Sequence, residues 1–371
     1  MDIIESVEMI RRDVIETAAD LIKIPSRNPP GEEGKCAEYI AKRLREIGLD
    51  VKIINEPFKD RAQIIASNDE NPSILLNGHI DTVPEGNINL WSVDPFGGIV
   101  KDGFLYGRGA VDMKSALAMM IHITRIIDKG LILTFAVGEE RAEPGTLTLM
   151  KYLPSTVKYG IVFEPTSLAI SPYQRGALWI KMKINGKSTH ASLPDKGVNA
   201  IVLAKNVIDD IERYALTLSK REEANTNPTC SITMINAGIK ENIIPDECYL
   251  TLDRRLLPSE DPKQVIEELR RINEKIEVIG SRRGVKIDPS SKICKVLHAS
   301  MKKITGKAEV ICFSGATDNE HIADKIESIV WGPGDLSRAH AIDEMIDIKE
   351  IDLAMRILAL SLYKMIKKDK I

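Results

Sequence analysis

Two periods of hydrophobic residues divide the chain. From residue 2 to about 175, stretches with apolar positions at helical spacing alternate with short apolar runs. Amphipathic segments at 2–23 and 32–47, the second following Asn28-Pro29-Pro30-Gly31, precede apolar runs at 73–77, 131–137 and 159–163, with a helix at about 115–128 between the first two runs. Such alternation predicts an α/β layer with a mainly parallel mixed sheet flanked by helices. From about 177 the period changes. ALWIKMKING (177–186), CSITMINAG (230–238) and ECYLTLDRRL (247–256) alternate as half-buried strands do, with helical spacing at 197–218 and at 261–275, opened by Asp261-Pro262, and a last strand near 276–287. The order β-α-β-β-α-β predicts a ferredoxin-like α+β unit. Helices at 290–304, 317–324 and 348–367 then surround strands near 308–312 and 327–330. One domain built from 1–175 and 288–371, interrupted by an inserted domain at 176–287, accounts for the pattern, and residues from both ends are then expected to meet in one site.

Composition narrows the function classes. Of 371 residues 43% are hydrophobic, and the 24 Gly and 18 Pro are scattered, which excludes a disordered or collagen-like chain. Lys+Arg 51 against Asp+Glu 54 leaves a net charge of -3, so neither nucleic acid nor an anionic membrane is an expected partner. The opening segment lacks the unbroken apolar core of a signal peptide and no 18-residue apolar run occurs, so a soluble cytoplasmic protein is expected. Cys36, Cys230, Cys248, Cys294 and Cys312 are dispersed, without a Cys-x-x-Cys pair, and read as ordinary thiols.

Candidate chemistry sits at the ends of the apolar runs. LLNGHIDTVP (75–84) sets His79 and Asp81 two residues apart, on one side of an extended backbone. In YGRGAVDMKSALAMM (106–120), Asp112 stands where a glycine-rich turn enters an apolar helix, a place that also suits a helix-capping acid. A dinucleotide-binding reading of Gly107-x-Gly109 fails because Asp112 occupies the third glycine position, where a carboxylate would repel a pyrophosphate. LILTFAVGEERAEPG (131–145) ends in Glu139 and Glu140, two adjacent acids that repel unless they face solvent or a cation lies between them. Glu164 follows an apolar run in the same way in YGIVFEPTS (159–167), and His340 lies in the loop GPGDLSRAHAIDE (332–344), where it is either a surface histidine or a ligand. His122, His298 and His321 fall within predicted helices and read as structural or surface residues. Two imidazoles and several carboxylates are the donor set of a borderline divalent metal such as zinc.

The ordered blocks GHIDTVP, YGRGAVDMK, AVGEE, FEPTS, GKSTHAS and AHAIDE resemble, over nearly the whole chain, the zinc-dependent metallopeptidase and deacylase family of acetylornithine deacetylase, succinyl-diaminopimelate desuccinylase, aminoacylase and glutamate carboxypeptidase. The resemblance implies a zinc-exopeptidase-like catalytic domain with an inserted dimerisation or lid domain. It also implies two zinc ions per subunit, with cobalt as a possible substitute. Asp112 would bridge them, His79 and Glu164 would complete one site, and Glu140 and His340 the other. Two dications, three carboxylates and a hydroxide would then cancel in charge, so the cluster could be buried. Asp81 would orient His79 through its other ring nitrogen, and Glu139 would be the general base that activates water against an amide. From the insert, His190 would stabilise the oxyanion in the partner subunit of a homodimer. Asn242 and Arg254 would hold a substrate carboxylate, with Gly315 and Thr317 assisting. The implied substrate is an N-acyl amino acid of the acetylornithine or succinyl-diaminopimelate kind. A dipeptidase or carboxypeptidase activity, or a non-catalytic binding homologue, is the alternative. One stretch, Arg141-Ala142-Glu143-Pro144-Gly145, departs from the glycine-rich run the resemblance leads one to expect.

Overall fold

The computed structural model describes residues 3–368. The chain forms two compact units: one comprises the segment up to Pro172, Ile287–Ile311 and the segment from His321, and the other comprises Tyr173–Lys286 and Cys312–Glu320. Cys312–Glu320, expected with the catalytic halves, is grouped with the insert. There the Thr317 hydroxyl donates to Gln174 Oε1 at 2.7 Å, and the Arg282 guanidinium lies 3.3 Å from both Asp318 and Glu320.

In the first unit the strands run Asp50–Ile54, Gln63–Ser67, Leu131–Ala136, Ile74–His79, Tyr159–Val162 and Glu327–Val330 across the sheet, and Ile170–Gln174 joins at Val330. The central four are mutually parallel; Gln63–Ser67 and Asp50–Ile54 add antiparallel pairings at one edge. Leu131–Ala136 and Ile74–His79 are buried along their whole length because both faces are covered. The two-residue period then sorts them. Ile74, Leu76, Leu131, Leu133 and Phe135 pack on the face of the long helices Ile3–Ile22, Ser115–Ile123 and Ile348–Lys368, while Leu75, Ile132 and Val162 pack with Leu149 and Ile322. Helix Ile3–Ile22 buries Val7, Ile10, Val14, Ala18 and Leu21 at helical spacing. Its C-terminal carbonyls are met by the buried Lys114 ammonium, which donates to Leu21 O and Ile24 O at 3.0 and 2.7 Å. The helix expected over 115–128 ends at Ile123, with turns after it.

The second unit is a four-stranded antiparallel sheet in the order Thr229–Ala237, Glu247–Leu256, Gly176–Asn185, Ile276–Arg282. Alternate residues Leu178, Ile180, Met182, Leu250 and Leu252 face helices Ala200–Leu218 and Pro262–Arg270. Each helix opens on a side-chain cap: Asn199 accepts from Ile201 and Val202, and Asp261 from Lys263 just before Pro262. The strand expected near 276–287 stops at Arg282, and Val285–Lys286 pairs instead with Tyr173 and Gln174. No helix among the described residues is long and apolar enough to cross a membrane.

Candidate metal centre

The carboxyl ends of three adjacent parallel strands carry the acids and imidazoles, the edge at which open α/β sheets place ligands. His79 closes strand Ile74–His79, the Gly138–Glu140 turn follows Leu131–Ala136, and Glu164 follows Tyr159–Val162. Gly78 makes room beside them: a Cβ there would sit 2.4 Å from Met113 Cε and 2.8 Å from Leu117 Cδ2, so the glycine lets these two side chains pack directly on the strand.

Asp112 does not cap the helix. Its backbone is extended (φ -127°, ψ 91°), the helix starts at Ser115, and Asp112 N–H donates to Glu344 Oε1 at 3.2 Å. Its carboxylate is thereby aimed at the two imidazoles: Oδ1 lies 2.9 Å from His79 Nε2 and Oδ2 lies 3.4 Å from His340 Nε2. His340, in a left-handed loop position (φ 62°), also meets Glu140 Oε1 at 3.1 Å. One ligand atom each from His79, Asp112 and Glu140 lies within 4.8 Å of the others.

Asp81 is fully buried but does not hold His79 mainly through its carboxylate. The His79 Nδ1 lies 2.9 Å from the backbone oxygen of Asp81 and 3.7 Å from Oδ1. The carboxylate instead accepts the N–H groups of Gly138, Glu139 and Glu140 at 3.0, 3.2 and 3.2 Å, and the Asn28 amide at 3.0 Å. Asp81 thus fixes the turn that bears both adjacent glutamates.

The electrostatics of the cluster call for a cation. Burial, then the neighbouring Asp112, Glu139 and Glu140, push the Glu164 carboxyl well above the usual range, and burial raises Glu140. Asp112 is held below it, against burial, by His340 and His79. Hydrogen bonds to Asp112 and Glu140 take His340 up to about 10, and those to Asp112 and Asp81 raise His79 despite its burial. Buried carboxylates that repel one another and share protons with two imidazoles are a donor set that a divalent metal fits, replacing those protons.

Four expected ligands therefore meet in the first unit, His79, Asp112, Glu140 and His340, and Glu164 follows the strand next to the one that ends in His79. Glu139 shares the turn with Glu140 and couples to Glu164. In the second unit the short pairing of Thr189–His190 with Ile243–Ile244 sets His190 beside Asn242, around an open pocket. His190 is exposed, with Nδ1 2.8 Å from Ser192 Oγ. Arg254 is a correction. It points into the unit's interior, fully buried, donating to Glu260 at 2.8 Å and to the Tyr214 hydroxyl at 3.1 Å, so its guanidinium has no open face for a substrate. Strand alternation instead turns Arg255 outward, where it forks onto Asp253 beside Trp179. Thr317 is likewise buried, its hydroxyl bonded to Gln174 and to Asn319 N, while Gly315 is half-buried.

Two supports escaped the sequence reading. Glu344 Oε1 accepts both Val111 N and Asp112 N, and its Oε2 pairs at 2.6 Å with Arg108, which also donates to His340 O at 3.3 Å. Asn28 holds Asp81. Arg108 and Glu344 stand inside the blocks YGRGAVDMK and AHAIDE; an arginine and a glutamate beside ligand loops, with opposite charges to match, was the available signal.

A sequence model of Peptidase family M20/M25/M40 matches residues 75–364. An uncharacterised metallohydrolase of Methanococcus maripaludis is 28% identical, with 93% of this chain and 97% of that one aligned. A succinyl-diaminopimelate desuccinylase of Ehrlichia chaffeensis is 29% identical over 92% of this chain and 94% of its own. Among solved structures, an M20 family metallo-carboxypeptidase from Sulfolobus solfataricus superposes with a TM-score of 0.78 at 21% identity, covering 95% of this chain and 99% of that one, and shares the mixed α/β fold. The chain belongs to Peptidase family M20/M25/M40, and is a metal-dependent hydrolase of linear amides.

Proposed function

We propose that the protein is a dinuclear zinc amidohydrolase that removes the acyl group from an N-acyl amino acid. The observation that carries this reading is the convergence of His79, Asp112, Glu140 and His340, with Glu164 coupled to them, at one edge of the sheet. Asp112 turns one oxygen to each imidazole, so it would serve two ions, with His79 and Glu164 holding one and Glu140 and His340 the other. Bound zinc supplies Lewis acidity for the amide carbonyl and acidifies a water. Glu139 accepts that water's proton and returns it to the leaving amine, and its place on the Glu140 turn keeps it adjacent to the ligands without being one. Asp81 holds that turn through three backbone N–H groups.

The second unit, read as a ferredoxin-like lid, contributes His190 to the oxyanion and Asn242 to the substrate carboxylate. Arg255 replaces Arg254 as the arginine of that pair, because only its side of the strand is open. A homodimer through this unit places His190 in the partner's site, and five free thiols suit a cytoplasmic protein. The desuccinylase relatives favour a succinylated amino acid as substrate. The structural likeness to a carboxypeptidase gives the peptidase reading its weight.

Dialysis against a chelator is expected to abolish turnover, and zinc or cobalt to restore it, with N-acetylornithine, N-succinyl-diaminopimelate and a dipeptide panel as substrates. Hydrolysis of the dipeptides alone would move the assignment to the peptidases, and indifference to the chelator would end it. Glu139→Gln should keep its metals while kcat falls by roughly 10²–10⁴. A binding homologue would need the ligands but no base, and unchanged turnover in this variant would refute Glu139.

A further inference from the structure

Glu143 lies in the stretch that departs from the expected glycine-rich run, and the structure gives its charge a destination. Its Oε2 lies 2.7 Å from Arg61 Nη2 and 3.1 Å from Asn28 Nδ2. Arg61 is pinned from the other side: Nε and Nη2 fork onto the fully buried Glu33 at 2.9 and 2.6 Å, and the guanidinium stacks 4.3 Å over Phe58. Asn28 spends its amide on two carboxylates, Glu143 and Asp81. Asp81 in turn receives the backbone N–H groups of Gly138, Glu139 and Glu140. A continuous path therefore runs from Glu33 through Arg61, Glu143 and Asn28 to Asp81, and ends on the turn that carries the proposed base and a proposed ligand. Glu143 also closes that turn directly. Its N–H donates to Gly138 O at 2.8 Å, and its side chain folds over Gly138, whose left-handed backbone (φ +86°) has Glu143 Cβ only 2.6 Å from where a Cβ would stand.

We propose that Glu143 and Arg61 are positioning residues of the metal centre, which by clamping Asn28 and Asp81 fix the Gly138–Glu140 turn so that Glu140 meets His340 and Asp112. This rests on the dinuclear hydrolase reading above. Neither residue touches a ligand side chain; the Glu143 carboxylate acts through Asn28, and Arg61 acts through that carboxylate. An asparagine amide has two N–H groups and can rotate when one acceptor is removed. Without the Glu143 carboxylate, Asn28 is no longer held to Asp81, and the turn loses its fixed orientation. Because Glu140 belongs to one proposed ion site while His79 and Glu164 belong to the other, the loss is selective for the site that Glu140 and His340 form.

The test is cobalt titration of the metal-stripped full chain, followed by visible absorption and calorimetry, with steady-state kinetics alongside. Glu143→Ala is expected to bind its first cobalt ion as the wild type does and its second at least 10-fold more weakly. Its kcat should fall at least 10-fold with KM changed less than threefold. Glu143→Gln, which keeps an acceptor for Asn28, should recover most of both losses, a rescue that a merely structural role would not produce. Should Glu143→Ala melt far below the wild type, Arg61→Lys decides on the same readouts, since it keeps the charge but loses the fork onto Glu33. Unchanged affinity for both ions, or an equal loss at both sites, overturns the proposal. A wild-type protein that takes up no cobalt or cleaves no amide instead fails the underlying reading, a result separable from a two-cobalt wild type with an indifferent variant.

Discussion

At the scale of single residues, the centre is built from charges that would be costly apart. Arg108 and Glu344 are both buried, 2.6 Å apart, and together reach the Asp112 turn and the His340 loop. Arg108→Met leaves Glu344 buried without its cation, and the expected loss of unfolding free energy in urea is about 3–5 kcal/mol. Adding Glu344→Gln removes the orphan charge, so the double variant should lose less than the sum of the two singles; additive losses would mean that the two do not act as a pair. His340 gives a second prediction. Its imidazole is raised from 6.5 to about 10 by Asp112 and Glu140, so the metal-free protein holds that proton across neutral pH. The stability these ion pairs lend the metal-free protein is complete below 6.5 and is lost as pH rises through about 10. A metal must displace the proton, so affinity rises with pH over that window. Calorimetry in two buffers of different ionisation enthalpy should register proton release on cobalt binding, and His340→Ala should lower the release. An identical count in the variant would place the released protons elsewhere.

Among the elements, helices Ile3–Ile22 and Ser115–Ile123 meet through a buried polar contact, Thr17 Oγ1 with His122 Nε2 at 2.8 Å. Burial, then the positive charges of Arg125 and Arg43, lower His122 from 6.5 to about 4, while Asp13 opposes them. The folded state therefore keeps His122 neutral. The unfolded chain binds the proton first, and the stability present above 6.5 drains away as pH falls toward about 4, an effect on the order of 3 kcal/mol. His122→Gln should flatten the fall in unfolding free energy between those two pH values; a slope like the wild type's would assign the effect to other groups. His122 reads from the sequence as a structural or a surface residue, and its burial against Thr17 decides for the first; long periodic helices such as this neighbour pair were legible because their buried faces repeat. The edge strand Asp50–Ile54 was not. DVKII is largely exposed and carries no apolar run, and its pairing with Gln63–Ser67 comes from the partner's hydrogen bonds. The site was readable as residues and not as geometry. The apolar runs put His79 at the end of a strand and Glu140 and Glu164 just after two others, where the structure has them. They could not tell that Asp112 is extended rather than capping, nor that strand parity buries Arg254 and exposes its neighbour, because both depend on where a regular element begins.

At the scale of the molecule, the second unit presents an outer strand that has, among the described residues, a neighbouring strand on one side only. Thr229–Ala237 pairs with Glu247–Leu256 alone within its sheet, and Met234 and Ile235 on it are more than half exposed. An open, apolar strand edge is a template for pairing with another chain, and the proposed homodimer supplies a second copy to cover it. The wild type should sediment at twice the chain mass. A charge set on the edge, Ile235→Lys, should give a monomer whose thermal midpoint matches the wild type's within a few degrees, because an exposed position contributes little to the fold. Since His190 is proposed to act across the interface, that monomer should bind its metals normally yet lose kcat to the same degree as His190→Ala, and combining the two changes should cost no more than either one. A fully active monomer would show that His190 serves its own chain's site or none, whereas a wild type that is already monomeric and active would remove the partner from the chemistry altogether.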